Sequence, residues 1–352
     1  MNHHALRAAA AVLALAVLVP QAGFPAEPFE KINTLKIDAM AFPRGVRSLG
    51  MGMTGTADAF DPANVWYNPA VLAYVHGIGL VGGTNNWTSG FDISDIGVSA
   101  AYRVPSGDDA AWNVGAGVRY TTMDFEGAND EELTGIGTYP PLDGFTDWYL
   151  ASTVAGGYSP GNFDFAAGFT VKYLDAGQVP AAGFETWAWD VGALGRYTYH
   201  RQDGLDVITT AGVSGLSLGG SDAGPLVIQS VEQFRAGMGI RVEASGLQES
   251  GEPLGHLDPV LAIGINGEVV DYRDTDRKPG SSVGLEMSLV NILSIRFGYA
   301  DSQYAFEYGQ TFGGSLGYGW GRTYVRLDLA MAFETNLSKN ISSFGFLVDI
   351  DI

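Results

Sequence analysis

The sequence has no cysteine and few basic residues. Its 352 residues include 19 lysines and arginines against 39 aspartates and glutamates, a formal net charge of -20 at pH 7. Without cysteine the chain can form neither disulfides nor thiolate metal sites. The acidic balance argues against nucleic acid as a partner, because contacts to phosphates require a basic surface.

Residues that carry catalysis are also scarce. The five histidines are His3, His4, His76, His200 and His256. No Ser/His/Asp arrangement, HExxH, P-loop or EF-hand pattern accompanies them. We therefore predict that the chain is not an enzyme and has no catalytic residues, no cofactor and no metal. Acidic runs at 124–132 and 271–276 offer oxygen ligands of the kind calcium uses, but we interpret them as solvated loop tips.

Only one long hydrophobic run is present, at residues 8–19, preceded by Arg7 and followed by Pro20. It is shorter than the ~20 residues that span a bilayer as a helix, and its flanks are those of a signal peptide. We predict a signal peptide at 1–26, with cleavage after Ala22, Gly23 or Ala26 left open. Because no later stretch could span as a helix, membrane residence would have to come from strands.

The rest of the chain is rich in glycine, with 49 residues, and in aromatic residues, at 12%. Its dominant period is two, the period of a strand. In 163–173 the odd positions are mostly aromatic or aliphatic, whereas the even positions include Asp164, Thr170 and Lys172. In 322–334 apolar residues from Val325 to Phe333 alternate with Arg322, Arg326, Asp328 and Glu334.

Alternation alone does not decide which face meets water. A soluble β-sandwich exported to the periplasm would bury the apolar face, whereas a membrane barrel would turn it outward. Segments of about ten residues favour the barrel, because tilted membrane strands need about 9–11 residues and average soluble strands have about half that. We predict an all-β fold: a transmembrane antiparallel β-barrel at 77–352. About fourteen strands are expected near 77–84, 94–104, 111–121, 148–158, 163–173, 187–199, 207–218, 235–244, 260–270, 282–290, 292–301, 310–319, 322–334 and 341–351.

The connections between these segments alternate in length, as in barrels with short periplasmic turns and long extracellular loops. The stretch 245–259 breaks this rhythm, being long where a short turn is expected. Either the strands beside it are wrongly assigned or this turn is elaborated. Aromatic residues at strand ends are expected to form the interfacial girdles of a membrane barrel. They are Trp87, Trp148, Tyr149, Trp187, Trp189, Tyr197, Tyr199 and Tyr299.

The polar face carries charges that would point into the lumen. The charged residues predicted to face inward are Arg119, Lys172, Asp190, Arg196, Arg241, Glu243, Glu268, Arg296, Arg326 and Asp328. We single out Arg119, Asp190, Arg196, Arg296, Arg326 and Asp328 as lumen-lining residues. Two roles stay open: the charges hold a plug by ion pairs, which we favour, or they steer a ligand.

Residues 27–76 do not follow the strand rhythm. Gly50, Gly52 and Gly55 permit close packing or positive φ. Pro69 forces Asn68 out of the helical region and suits a turn ahead of Ala70. We predict a compact segment that fills the lumen.

Two blocks resemble a known family. The run R-S-L-G-M-G from Arg47, followed by A-D-A-F-D-P-A-N-V-W-Y-N-P-A-V-L-A from Ala57, is similar to the N-terminal hatch signature of FadL-like outer-membrane barrels, including the PorV/PorQ branch. The run Gly284–Tyr299, with T-F-G-G-S-L-G-Y and L-D-L-A after it, resembles the late strands of the PorV-type branch. The resemblance implies a fourteen-stranded barrel with a hatch inside it, in which Asn68, Pro69 and Ala70 form the signature turn.

The resemblance also implies a location in the outer membrane of a Gram-negative-type bacterium and insertion by the barrel-assembly machinery. The final residue Ile352 departs from the aromatic residue that ends many such barrels, which weakens that assembly signal. Two functions follow as expectations. One is passive transport of hydrophobic small molecules among outer-membrane lipid, and the alternative is a PorV/PorQ-like interaction or shuttle role with proteins of a type IX-like secretion system.

Overall fold

A computed structural model describes residues 44–75, 77–87, 91–106, 110–125, 145–175, 185–201, 204–219, 232–246, 258–273, 279–301, 308–334 and 340–351. The predicted signal peptide and the first part of the 27–76 segment lie outside these ranges. Within them, no helix has the length and apolar character needed to cross a membrane.

Fourteen strands form the bulk of the described chain, so the predicted strand number is confirmed. They are β1 (Gly77–Trp87), β2 (Phe91–Pro105), β3 (Ala110–Phe125), β4 (Phe145–Pro160), β5 (Phe163–Asp175), β6 (Glu185–Arg201), β7 (Leu205–Leu218), β8 (Gln233–Ala244), β9 (Leu261–Tyr272), β10 (Gly280–Leu289), β11 (Leu293–Asp301), β12 (Tyr308–Trp320), β13 (Thr323–Glu334) and β14 (Asn340–Ile350). Several strands extend beyond the expected bounds. In β3, for example, ladder pairing with β4 continues to Phe125 although the apolar alternation weakens near Thr121.

Each strand pairs antiparallel with its sequence neighbours, and β1 pairs with β14 from Ile78 opposite Ile350 to Trp87 opposite Ile341. The sheet therefore closes into a barrel. A closed barrel leaves no edge strand with unpaired backbone groups, which is the condition for strands in a hydrocarbon layer.

The two ends of the barrel differ in their connections. We call one the short-turn end, where the connections are 106–109, 161–162, 202–204, 245–260, 290–292 and 321–322. The opposite, long-loop end has the connections 88–90, 126–144, 176–184, 219–232, 273–279, 302–307 and 335–339. Of the two alternatives for 245–259, the elaborated turn is correct, because β8 and β9 pair on either side of this long connection.

The apolar face points outward. In β5, Phe163 and Phe165 are exposed while Asp164 and Lys172 are buried. In β13, Leu329 is 60% exposed and its neighbour Asp328 only 4%. Side chains that a soluble protein would bury thus cover the outside of the barrel, as predicted, and the polar face lines the lumen.

Two expectations about individual side chains are wrong. Arg322 lies in the turn before β13 rather than on the strand's polar face, because the ladder begins at Thr323. Tyr149 is fully buried on the inward face of β4 and does not belong to an interfacial girdle. Trp148 and Tyr149 are adjacent, and in a strand only one of two adjacent side chains can point outward.

The remaining girdle aromatics point outward where the structure describes them. The exposed or half-buried members are Trp148, Trp187, Trp189, Tyr197, Tyr199 and Tyr299, while the side chain of Trp87 lies outside the described set.

A charge on the outward face tests membrane residence. Val98 lies at the centre of β2 and is 52% exposed, whereas Val104 lies near the short-turn end of the same strand and is 42% exposed. We expect Val98→Arg to lower the free energy of unfolding from lipid by about 2–4 kcal/mol and Val104→Arg by about 0–1 kcal/mol, because the cost depends on depth in the bilayer. Urea titration of both variants in lipid vesicles measures this. Equal, negligible effects would indicate a water-exposed surface.

Candidate functional site

The described N-terminal residues 44–75, which we call the lumenal segment, contain three short helices: α1 (Val46–Gly50), η1 (Pro62–Trp66) and η2 (Pro69–Tyr74). Both 3-10 helices start with a side-chain N-cap. Asp61 accepts a hydrogen bond from the Ala63 N–H at 2.8 Å, and Asn68 accepts one from the Ala70 N–H at 3.1 Å. In each case the next residue is proline, which fits a first helical position because it needs no backbone partner there.

Most of the lumenal segment is buried inside the barrel. Helix α1 packs against β11, β12 and β13, whereas η2 packs against β3, β4, β5 and β6. The segment therefore bridges opposite parts of the wall. Its role as a hatch stays a prediction, as do the boundaries 27–76.

The three glycines singled out from the sequence all lie where a side chain would not fit. Gly52 has φ +67°, and a Cβ built there would lie 2.7 Å from the carbonyl oxygens of Val283 and Tyr299. Gly50 lies against Gly313 of β12, and Gly55 lies against the ring of Tyr67. Close approach to the wall and to the segment itself accounts for all three.

Glycines on the inward face of the strands leave space for the lumenal segment. A Cβ at any of eight inward wall positions would lie within 3.1 Å of an atom of the lumenal segment; these are Gly115, Gly168, Gly192, Gly212, Gly284, Gly298, Gly313 and Gly345. Part of the glycine content of the chain is thus explained by the lumenal segment lying directly against the wall, in addition to the curvature of the sheet.

Asn68, Pro69 and Ala70, the predicted signature turn, lie together against β5 and β6. Besides capping η2, the Asn68 side chain donates through Nδ2 to the carbonyls of Thr56 at 2.9 Å and Ala193 at 3.0 Å. Pro69 and Ala70 cover Gly168. Asn68 is fully buried, so its amide is a fixed hydrogen-bonding junction between the segment and the wall.

Glu286 of β10 is the centre of the charged part of the lumen. Arg47 of the lumenal segment donates to it through Nε at 2.8 Å and Nη2 at 2.9 Å, a bidentate contact. Arg241 of β8 approaches the same carboxylate at 3.0 Å and Arg296 of β11 at 2.5 Å. Three guanidinium groups from three elements thus converge on one buried carboxylate.

The contacts continue from Arg296 back to the segment. Arg296 Nη1 lies 2.7 Å from Asp328, whose second oxygen accepts from Arg326 Nε at 2.8 Å. Arg326 Nη2 donates to Asp61 of the segment at 2.5 Å. We call this series the ion-pair chain; its members are Asp58, Arg47, Glu286, Arg296, Asp328, Arg326 and Asp61. Burial raises the pKa of the Asp61 carboxyl, but Arg326 and Arg47 lower it further, so the pKa lies below its usual range.

The other predicted lumen-lining residues lie elsewhere on the wall. Arg119 donates to the carbonyl of Pro62 at 2.9 Å. Asp190 pairs with Lys172 at 2.8 Å, and Arg196 pairs with Asp164 at 2.6 Å. The structure therefore brings Arg296, Arg326 and Asp328 together and leaves Arg119, Asp190 and Arg196 at separate positions.

Glu268, also predicted to face inward, accepts from the backbone N–H groups of Gly55 and Thr56, both at 2.9 Å, and pairs with Arg235 at 2.5 Å. Arg235 was not predicted. Neither was Glu286, although its place between outward Leu285 and Met287 carries the period-two signal that would have found it.

Apolar side chains form a second inward feature, at the long-loop end. We call them the apolar ring: Ile93, Met123, Tyr149, Leu174, Ala188, Ala300, Ala332 and Ile341, all within about four positions of a strand end and all buried. The ring packs in one cluster with Val46, Leu49 and Trp66 of the lumenal segment. The Arg44 guanidinium lies 4.0 Å from the Tyr149 ring centroid and 4.6 Å from that of Trp66, a cation–π arrangement.

Candidate catalytic groups are sparse in the described chain. His200, the single histidine in the ranges given above, lies exposed with Nδ1 3.0 Å from Asp206. The acidic runs at 124–132 and 271–276 lie mostly outside those ranges.

No protein-family model and no curated protein matches the sequence. Solved structures of similar shape include the Pseudomonas putida toluene transporter TodX, at 13% identity over 90% of this chain and 98% of that one, with a TM-score of 0.46. The Ralstonia pickettii toluene transporter TbuX is 13% identical over 87% and 98%, with a TM-score of 0.46. The Acinetobacter baumannii outer membrane protein Omp33 is 11% identical over 78% and 98%, with a TM-score of 0.40.

Neutralising Glu286 tests the ion-pair chain. We expect Glu286→Gln to lower the free energy of unfolding by about 3–5 kcal/mol, because three buried arginines lose their shared counter-charge. Glu243→Gln is the control, since Glu243 pairs with Arg241 alone and is partly exposed; about 1 kcal/mol or less is expected there. Urea unfolding of the detergent-solubilised protein gives both values, and similar losses for the two variants would contradict the central position of Glu286.

Proposed function

We propose that the chain is an outer-membrane barrel that passes hydrophobic small molecules without catalysing a reaction. The outward apolar face supports membrane residence. By the usual asymmetry of such barrels, the short-turn end is periplasmic and the long-loop end extracellular. The predicted signal peptide and insertion by the barrel-assembly machinery belong to the same proposal.

The apolar ring is the observation that carries the transport proposal. A porin-like lumen is polar along its length, whereas this barrel presents buried aliphatic and aromatic side chains inward at the extracellular end. Transfer of an apolar solute from water to such surface is favourable by about 25 cal/mol per Å². Because the ring packs against Val46, Leu49 and Trp66 of the lumenal segment, an oily solute reaches this surface by taking the place of those side chains.

Changing the ring should change uptake. Met123 is fully buried in the ring, whereas Met331 lies near the same end of the barrel on the outward face. We expect Met123→Gln to reduce the entry of toluene or a medium-chain fatty acid into proteoliposomes about tenfold, because a buried amide without partners costs roughly 1–3 kcal/mol and lowers the affinity for apolar solutes. Met331→Gln should leave entry unchanged. Failure of the unaltered protein to admit either solute faster than empty liposomes would sink the transport proposal.

A second candidate is the PorV/PorQ-like interaction or shuttle role. The firm attachment of the lumenal segment favours this role. The ion-pair chain and the direct contacts with the wall glycines both hold the segment in the lumen. A barrel with a filled lumen would work through its extracellular loops, with secretion-system proteins as partners. The finer assignment to that branch rests on the sequence resemblance alone.

A reversible lock separates the two candidates. A Cβ at Gly237 of β8 would lie 3.3 Å from the Cβ of Ala57 in the lumenal segment, close to the separation in a disulfide, and the chain has no native cysteine. We expect an Ala57→Cys/Gly237→Cys double variant to form a disulfide that joins the lumenal segment to the wall. Transport that needs the whole segment to be displaced should stop on oxidation and return on reduction. Partner binding at the loops should not change with oxidation, and Ala57→Cys alone is the control.

A further inference from the structure

A cavity of about 290 Å³ lies at the short-turn end of the lumen, on the other side of the lumenal segment from the apolar ring. Phe60 and Pro62 of the segment form part of its boundary, and exposed Arg322 and Asp351 are among its outermost lining residues. Most of the other lining residues are charged or polar, among them Arg47, Arg241, Glu286, Arg296, Arg326 and Asp349. The lining is thus mainly polar and charged, which does not suit an oily solute.

Three of its arginines keep donor groups that the described residues do not use. Arg241 engages Glu243 through Nε and Glu286 through Nη1, which leaves Nη2 without a described acceptor. Arg326 uses Nε and Nη2 and leaves Nη1. The Arg322 guanidinium forms no hydrogen bond or ion pair with a side chain of the described residues, and Arg322 is exposed.

The charges of the lining are unequal. Five arginines face three carboxylates, those of Glu286, Asp349 and Asp351. Glu286 is already surrounded by three of the arginines. Four of the five arginines are also paired with carboxylates outside the lining, those of Asp58, Asp61, Asp328 and Glu243, so among the described residues Arg322 alone of the five has no carboxylate partner. Its N–H groups, together with Arg241 Nη2 and Arg326 Nη1, are unused donors in a concave site. Such donors bind carboxylate and phosphate oxygens, because the planar guanidinium offers them paired N–H groups.

We propose that this cavity binds a small anion bearing a carboxylate or phosphate group, held by Arg322, Arg241 and Arg326. The site does not depend on the transport proposal, because α1 lies between the cavity and the apolar ring. Arg47 of α1 lines the cavity, whereas Val46 and Leu49 of the same helix pack with the ring. The barrel wall separates the site from surrounding lipid, so the ligand arrives free from the short-turn side rather than as a lipid head group.

Calorimetric titration of the full chain in a neutral detergent tests the site. Inorganic phosphate, acetate and a short-chain phosphatidylglycerol are titrated separately at constant ionic strength. We expect saturable binding of phosphate or acetate that weakens about tenfold or more in Arg322→Gln, since an exposed arginine without a described partner can be replaced without disturbing the fold. Arg103→Gln removes another exposed arginine near the same end that does not line the cavity, and should bind as the unaltered protein does.

The proposal is overturned if neither free anion binds saturably, if only the phospholipid binds, or if both arginine variants weaken binding equally. Equal weakening would indicate a general ionic effect. Saturable binding of phosphate alone would support the proposal with phosphate-bearing molecules as the ligand class. Saturable binding of acetate alone would support it with carboxylates as the ligand class.

Discussion

The pairing of buried charges is the constraint on which the rest of this structure depends. In the described residues, eight cations meet nine carboxylates in ion pairs that point into the barrel, and a ninth cation, Arg44, lies over two aromatic rings. The members are Arg47, Arg119, Lys172, Arg196, Arg235, Arg241, Arg296 and Arg326 with Asp58, Asp61, Asp95, Asp164, Asp190, Glu243, Glu268, Glu286 and Asp328. Breaking one buried pair costs about 3–5 kcal/mol. Most of these pairs join different strands, and a slip of one residue would turn their charges outward and bring apolar side chains in. The charge pairs therefore specify the register, and the net charge of -20 must lie almost entirely outside them.

The same constraint explains how an irregular segment can lie inside a barrel. Backbone groups without regular structure need partners when buried. The wall supplies them: Glu268 accepts from Gly55 and Thr56, Thr311 accepts from Gly52, and Ser214 donates to the carbonyl of Tyr67 at 2.6 Å. Wall glycines let these groups come within reach. Polar side chains and glycines of the inward face are thus two parts of one adaptation to the lumenal segment.

Strand number, closure and facing could be predicted from the sequence because local features indicate them: the period-two pattern, the length of about ten residues of the alternating segments, and the lengths of the connections. The inward Tyr149 could not, since adjacent Trp148 and Tyr149 leave the phase of β4 undecided until its pairing with β3 is known. The ion-pair partners could not be predicted either, because Arg47 and Glu286 are 239 positions apart in the sequence and no local pattern relates them. The glycines show the same difference. The close packing of Gly50, Gly52 and Gly55 could be predicted from their local spacing, but the wall glycines that lie against the segment could not.

Where the lumenal segment is held by charge, it resists partial movement. If Arg47 and Glu286 separated without water entering the lumen, both would be buried charges without a partner. Movement of α1 therefore requires water to enter and solvate the two ions. The opposite side is different. Helix η2 packs against β3 to β6 mainly through apolar residues, together with the Tyr74 hydroxyl, which donates to the Leu194 carbonyl at 2.9 Å. Displacing apolar groups within an apolar contact changes less free energy than separating ions, because no charge loses its partner. Displacement of the lumenal segment that keeps the lumen dry would therefore begin beside η2, and the contacts of α1 in the ion-pair chain would be the last to separate.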